Sequence, residues 1–150
     1  MSTLAQLIKQ KKFASEYQKA TIGLMYVANI INAESQLFLK KFNLTNQQYN
    51  ALRILRGKSP EPASQQYIKE RLIDKSSDVS RLMDRLAQKE LVTIQVSEND
   101  KRAKFIFITK KGLSILAKID EISMDIHKTT RNINEDELKQ LNQLIDKLLS

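Results

Sequence analysis

The residues best suited to carry chemistry lie in one segment, residues 76–89, whose polar side chains could bond to nucleic-acid bases. Four apolar residues recur there at helical spacing and leave a polar face opposite. The apolar residues are Val79, Leu82, Met83 and Leu86. The opposite face carries Ser77, Ser80, Arg81 and Asp84, with Asp78 and Arg85 on its flanks and Ser76 before it. Because a helix fits the major groove of B-DNA, we predict a base-reading helix over residues 77–89, with Ser76 or Ser77 as its N-cap.

Arg81 and Asp78 have different expected roles in this helix. Arg81 can bond to guanine in bidentate fashion, and the serine hydroxyls can bond to bases or phosphates. A carboxylate is less expected against a polyanion. Asp78 could accept a hydrogen bond from a cytosine amino group, orient Arg81, or only favour the helix N-terminus through the helix dipole. An ordinary solvated helix has a similar polar face. Whether this face reads DNA therefore depends on the segments before and after the helix.

A polar turn with a basic tip follows the helix. Residues 93–96 alternate in polarity with period two and residues 105–108 do so weakly, so we predict two short strands around a turn. The turn and the adjoining strand carry Asp100, Lys101, Arg102 and Lys104. Asp100 could hold the Arg102 guanidinium in one direction, and a narrow minor groove attracts such an Arg. The alternative is a solvated charged turn, which any hairpin could have.

A shorter helix is predicted before the base-reading helix, from Gln65 to about Leu72. Ser64 is its expected N-cap. Ser64, Gln65 and Gln66 would then stand at a helix start, where side chains and backbone N–H groups contact phosphates. The order of two helices followed by a hairpin predicts a winged helix-turn-helix.

Longer helices are expected on both sides of this region. Apolar residues with heptad spacing predict a helix from about Phe13 to Lys41 that is apolar on more than one side. Such a helix needs two partners, either within its own chain or in a second subunit, and its length favours the second subunit. Thr45 with Gln48 fits a capping box for the next helix, and Gly57 stands where a C-terminal cap would be.

The C-terminal third is predicted to be helical as well. Thr109 can cap a helix running from Lys110 towards Asn132, whose apolar residues include Met124 and Ile126. Asn134 with Glu137 resembles a second capping box, and an apolar stripe follows it to the end of the chain. The fold class expected is mainly α (α+β).

Composition narrows the class of protein. The net charge of +8 over 150 residues favours a polyanionic partner, with nucleic acid preferred over an acidic membrane surface. No cysteine and one histidine argue against a metal site, a disulfide and a thiol sensor. The sequence contains no glycine-rich phosphate-binding loop, and its single histidine leaves no plausible catalytic triad. We therefore expect that the protein is not an enzyme and binds no cofactor. No signal peptide and no membrane span are evident, so a cytoplasmic location is expected.

Several short motifs occur together in a fixed order. They are Leu44-Thr45 with Gln47, Val79-Ser80-Arg81-Leu82, Asp84-Arg85-Leu86, Leu91-Val92, Asp100-Lys101-Arg102-Ala103, and Thr109 with Lys111-Gly112. With these motifs, the chain resembles the MarR family (multiple antibiotic resistance regulators) of bacterial winged-helix proteins. The similarity is best from about Leu44 to Gly112.

The resemblance implies a homodimer in which residues 1–150 form one domain. Residues of about 1–42 and 112–150 would be dimerisation helices, and residues of about 44–110 a winged-helix DNA-binding lobe. It also implies that the residue 77–89 helix reads the major groove and that Asp100 and Arg102 reach the minor groove. Many members bind a small aromatic or phenolic ligand and then lose DNA affinity, for which Tyr26 and Tyr49 are the candidate pocket residues.

Two positions depart from the family pattern. Glu90 stands where the family usually has Gly, and a left-handed conformation there would be strained. Residues 93–95, Thr-Ile-Gln, stand where the family often has an Arg. The lack of Cys argues against the thiol-oxidation branch of the family.

The function predicted is sequence-specific, dimeric binding to double-stranded DNA at a pseudo-palindromic operator, as a transcriptional repressor that a small ligand could release. The alternative is a winged-helix module that binds another protein and reads no DNA sequence. Salt-insensitive association without DNA binding would favour that alternative.

Overall fold

The described residues of the computed structural model, 2–122 and 127–150, are mainly helical, with one small antiparallel sheet. The helices are α1 (Leu4–Leu7), α2 (Glu16–Leu39), α3 (Asn46–Lys58), α4 (Gln65–Arg71), α5 (Val79–Gln88), α6 (Lys110–Glu121) and α7 (Glu135–Leu149). The strands are β1 (Ala63–Ser64), β2 (Val92–Val96) and β3 (Lys104–Ile108). Short 3-10 turns cover Lys40–Phe42 and Thr129–Asn132. The mainly α winged-helix class predicted from the sequence is confirmed.

The chain divides into two compact units. The first contains Met1–Ser35 and Ile126–Ser150, and the second contains Gln36–Asp125. None of the described helices combines the length and the apolar character that a membrane-spanning helix requires.

Most of the predicted helix starts are confirmed. The Thr45 and Asn134 side chains each accept a hydrogen bond from the backbone N–H three residues further on. The side chains of those residues, Gln48 and Glu137, accept from the backbone N–H of Thr45 and Asn134, so both capping boxes form. Ser64 caps α4, and Thr109 caps α6 by accepting from the N–H of Gly112. Each cap satisfies a backbone donor that the helix itself leaves free, which fixes where these helices begin.

The predicted bounds of α2, α3 and α6 are wrong. Gly57 does not end α3, because the helix continues to Lys58 and Ser59 provides the cap. The N-terminal helix begins at Glu16 and passes into a 3-10 turn after Leu39. The helix capped by Thr109 ends at Glu121 instead of approaching Asn132, while the predicted apolar positions 124 and 126 lie outside the described residues.

The sheet has the order β1-β3-β2, and both pairs are antiparallel. Val92 pairs with Ile108 and Val96 with Lys104, so β2 and β3 form the predicted hairpin. Ala63 pairs with Ile106, which joins the segment before α4 to the hairpin. This third strand escaped the sequence analysis because two residues are too few to show a periodicity.

The hydrophobic core of the second unit fixes α3, α4, α5 and the sheet against one another. Its fully buried side chains come from every one of these elements. They include Leu52, Leu55, Ile68, Met83, Leu86, Val92 and Ile106. Burying a side chain of this size contributes about 1.5–3 kcal/mol, so this core holds the outer faces of α4 and α5 in a defined geometry.

None of the described residues of the first unit, 2–35 and 127–150, is fully buried. The Glu34 carboxylate on α2 accepts from the Thr129 hydroxyl at 2.8 Å and from the Thr129 backbone N–H at 3.3 Å. Many apolar side chains of this unit stay exposed in the single chain. On α2 and α7 they are Tyr17, Leu24, Met25, Val27, Leu141, Leu144, Ile145, Leu148 and Leu149.

Candidate nucleic-acid interface

Helix α5 presents one buried and one exposed face, as the sequence predicted. Val79, Leu82, Met83 and Leu86 are all buried. Arg81 and Arg85 are exposed, and Ser80 is half-buried. The side chain of Arg81 is 80% exposed, so α5 is anchored by its apolar side and offers its guanidinium groups to solvent.

The predicted N-cap of this helix, Ser76 or Ser77, is wrong by one or two residues. The N-cap is Asp78, whose carboxylate accepts from the backbone N–H of Arg81 at 3.2 Å. Neither Ser76 nor Ser77 caps the helix, so both lie in the preceding loop. The reason is local, because Asp74 Oδ1 accepts from both the N–H (2.9 Å) and the hydroxyl (2.6 Å) of Ser76 and holds that residue in a turn.

Asp78 also makes an ion pair with Arg81. Its Oδ2 lies 3.4 Å from Arg81 Nε. Of the roles left open for Asp78, the structure shows the pairing with Arg81. It adds the helix cap, which the sequence had assigned to Ser76 or Ser77. The pair is exposed, so it adds little to stability, but it restricts the directions in which the guanidinium can point.

The three residues predicted at the start of α4 are differently placed. Ser64 is exposed, and its hydroxyl caps the helix by accepting from the N–H of Tyr67 at 3.0 Å. Gln66 is exposed and donates to Glu70 at 2.7 Å. The amide nitrogen of Gln65 is buried without a hydrogen bond, so this side chain would have to turn outward to reach a phosphate.

The wing tip is an ordered turn with an exposed basic end. The N–H of Ser97 donates to Ala103 O and the N–H of Ala103 donates to Asp100 O, both at 2.9 Å. Asp100 Oδ1 accepts from the backbone N–H of Arg102 at 2.9 Å. The expectation that Asp100 holds the Arg102 guanidinium is therefore corrected, since it holds the backbone of Arg102 instead. Lys101 and Arg102 are exposed, while Lys104 is half-buried on β3.

A Schellman motif ends α5 and leads into the wing. The N–H of Leu91 donates to Leu86 O, and the N–H of Glu90 donates to Ala87 O. Glu90 has φ of 60°, in the left-handed region where a side chain is strained. Its carboxylate accepts from Lys111 Nζ at 2.8 Å, which lowers the pKa of Glu90, and its carbonyl accepts from the Thr109 hydroxyl. The Schellman turn therefore forms with Glu90 in the left-handed position, although the residue is not glycine.

Replacing Glu90 by glycine should raise the thermal stability of the protein. Glycine adopts a positive φ without steric cost, while the ion pair that is lost is exposed and weak. We expect Tm to rise by about 2–4 °C, as for a gain of about 1 kcal/mol in a chain of this size. Differential scanning calorimetry checks this, and a lower Tm than the parent would show that the Lys111 contact outweighs the strain.

Lys89 ties the C-terminal end of α5 to the start of α3. Its ammonium donates to Gln48 Oε1 at 2.9 Å and to the carbonyl of Asn43. Gln48 is buried, and partial burial lowers the pKa of Lys89. The contact spans 41 residues of sequence, so no local pattern could have revealed it. It fixes the end of the exposed helix relative to the rest of the second unit.

The structure adds a basic cluster that the sequence analysis missed. The Tyr67 ring contacts two cations, with Arg71 Cζ 3.6 Å and Lys58 Nζ 4.8 Å from the ring centroid. Both contacts hold long cationic side chains in place beside α4. The spacing of four residues between Tyr67 and Arg71 was the signal available, since such residues are neighbours on a helix.

The two tyrosines proposed for a ligand pocket belong to different units. Tyr26 is half-buried on α2, in the first unit. Tyr49 is half-buried on α3, in the second unit, with the Arg53 guanidinium carbon 5.8 Å from its ring centroid.

Comparison with known proteins agrees with this geometry. The MarR family model matches residues 42–103. The chain is 33% identical over 115 residues to the HTH-type transcriptional regulator MgrA of Staphylococcus aureus, covering 77% of this chain and 76% of MgrA. A MarR transcription factor from Planctomyces limnophilus has a TM-score of 0.71 and 29% identity, over 90% of this chain and 98% of that one.

A DNA complex is among the similar structures. The S. aureus MepR–DNA complex has a TM-score of 0.75 and 23% identity, over 92% of this chain and 98% of that one. These similarities, together with the two faces of α5 and the hairpin after it, define the class of protein. It is a winged-helix transcriptional regulator, and this class is not enzymatic. The chain belongs to the MarR family.

Proposed function

We propose that this protein is a sequence-specific, dimeric DNA-binding repressor of a pseudo-palindromic operator. The observation that carries the proposal is the outer face of α5, where Arg81 is exposed and its direction is restricted by Asp78. The N-terminal residues of such a helix meet base edges in the major groove, where Arg recognises guanine. The exposed Lys101 and Arg102 at the wing tip supply a second, electrostatic contact, in the minor groove.

The remaining site residues have supporting parts in this proposal. Backbone-contacting groups position a protein on the duplex without reading sequence. These are Ser64, Gln65, Gln66, Ser76, Ser77, Ser80, Arg85 and Lys104, while Asp100 holds the backbone of Arg102 in the wing turn. Lys58 and Arg71, which both contact the Tyr67 ring, add further positive charge beside α4.

The exposed apolar side chains of the first unit support a homodimer. A soluble monomer rarely exposes many large apolar residues on the same helices, and α2 and α7 both do so. A second copy of the chain would bury them. Twofold symmetry then sets the two half-sites about one helical turn apart, roughly 34–36 Å.

Release by a small aromatic effector completes the proposal. Tyr26 and Tyr49 are half-buried aromatic side chains that could contact such a ligand. A titration of the protein–operator complex with small phenolic compounds would show release as a loss of fluorescence anisotropy, and Tyr26→Ala or Tyr49→Ala should weaken that response.

Selection from a random duplex library tests the proposed function. Purified protein retains duplexes at near-physiological salt, and the retained DNA is sequenced. We expect a twofold symmetric motif with guanine in each half-site. Recovery of DNA without a common motif would contradict sequence-specific reading and would favour the protein-interaction alternative.

Arg102→Ala should weaken binding to all DNA sequences and flatten its salt dependence. Arg102 contributes charge at the wing tip, and each phosphate neutralised adds about 0.9 to the slope of log K against log salt. Two wings in a dimer predict a loss of roughly 1.8 in that slope.

Fluorescence anisotropy at several salt concentrations measures this slope. The control is Lys139→Ala, which removes one positive charge from α7, outside the proposed interface. An unchanged slope for the Arg102 variant would exclude the wing-tip contact.

A further inference from the structure

One apolar side chain projects into solvent beside the proposed base-reading helix. Ile73 lies in the loop between α4 and α5 and is 86% exposed, more than any other large apolar residue described in the second unit. The preceding residue, Leu72, is buried. Exposing a branched apolar side chain of this size is unfavourable in water.

The loop that carries Ile73 is held in place by hydrogen bonds. The backbone N–H of Ile73 donates to the Asn50 side chain on α3 at 3.0 Å. Asp74 accepts from Ser76, and Lys75 Nζ donates to the carbonyl of Glu70 at 2.6 Å. Ile73 is therefore presented from a fixed backbone, so its outward position is set by the fold.

The loop leads directly into the N-terminus of α5. Residues at this end of a recognition helix enter the major groove first. There each base pair shows hydrogen-bonding groups, and thymine alone adds an apolar one, its C5-methyl group. Apolar side chains contact that methyl group. An exposed isoleucine at this place has the matching chemistry.

We infer that Ile73 is a specificity-determining residue that contacts the C5-methyl group of a thymine in each half-site. This inference rests on the proposed function, because it needs α5 in the major groove. It assigns to the loop a part of the sequence reading that the polar residues of α5 cannot supply, namely the distinction of thymine by its methyl group.

Replacement of thymine by deoxyuridine tests the inference, because it removes only the methyl group. Each thymine of the selected motif is replaced in turn, symmetrically in both half-sites, and affinity is measured by fluorescence anisotropy. We expect one position at which the parent protein loses affinity about fourfold per half-site, as for one buried methyl group. Ile73→Ser should bind the unmodified motif more weakly and should not respond to the replacement at that position.

Ile73→Val is the matched control, because it keeps two methyl groups and should keep part of the response. A motif without thymine in its half-sites, or equal responses of the parent and Ile73→Ser at every thymine, would overturn the inference while leaving the proposed function intact. A library selection that yields no motif would overturn both. Since Ile73 is exposed, its variants should unfold at the parent temperature, which separates a lost contact from a damaged fold.

Discussion

Gly112→Ala is expected to destabilise the protein by about 3 kcal/mol, the upper part of the range for overpacking, and to lower Tm by roughly 6–12 °C. A Cβ atom at residue 112 would lie 2.5 Å from the carbonyl oxygen of Leu91 and 2.8 Å from Cγ1 of Ile108. The first neighbour is backbone, so it cannot turn aside as a flexible side chain could. Thermal unfolding followed by circular dichroism measures the effect.

Gly57→Ala is the matched control for that change. Gly57 lies within α3, and a Cβ atom there would have no neighbour within 4 Å. Alanine is the better helix former by about 0.5–1 kcal/mol, so this variant should be slightly more stable than the parent. If the two variants had equal Tm values, the close approach of α6 to the Leu91 carbonyl would be contradicted.

Arg81→Ala is expected to cost about 1–3 kcal/mol of operator binding at each base that it reads, and to relax the preference at that base pair. The exposed guanidinium lies on the outer face of α5, with its direction restricted by Asp78. Titration of the parent and the variant against the selected motif and against single-base changes of it measures both effects. Equal losses on specific and random DNA would reduce Arg81 to a phosphate contact.

Asp78→Asn provides the companion variant. Asparagine caps a helix about as well as aspartate, so α5 and the stability of the protein should be unchanged. The ion pair with Arg81 would be lost together with one negative charge near the DNA. We therefore expect tighter binding to random DNA and poorer discrimination at the base that Arg81 reads. Unchanged discrimination would exclude an orienting role for Asp78.

Sequence patterns located the starts of α3, α4, α6 and α7, and also the two faces of α5, because these features depend on residues a few positions apart. The Thr45–Gln48 box and the apolar stripe of α5 are features of this kind. The start of α5 was misplaced because three consecutive residues, 76–78, all have good capping side chains. The choice among them depended on Asp74, whose carboxylate holds Ser76 in a turn before the helix.

Other parts of the site depend on contacts between distant segments. Lys89 reaches Gln48 and Asn43, and β1 joins β3 through two residues only. The exposure of Ile73 also could not be predicted from the sequence, because an apolar residue next to a helix is usually expected to be buried. Only the structure shows that Leu72 takes the buried position and Ile73 the exposed one. The left-handed Glu90 was recognisable as a departure from glycine, yet only the structure shows Thr109 and Lys111 holding its carbonyl and carboxylate.

One comparison of affinities tests sequence-specific reading most directly. It compares binding to the selected motif with binding to a duplex of the same composition whose half-sites are permuted. Both duplexes are titrated at one near-physiological salt concentration, with the stoichiometry determined at saturation. We expect two chains per duplex and an affinity for the motif at least about 10³-fold higher than for the permuted duplex. Equal affinities, or one chain per duplex, would contradict this expectation.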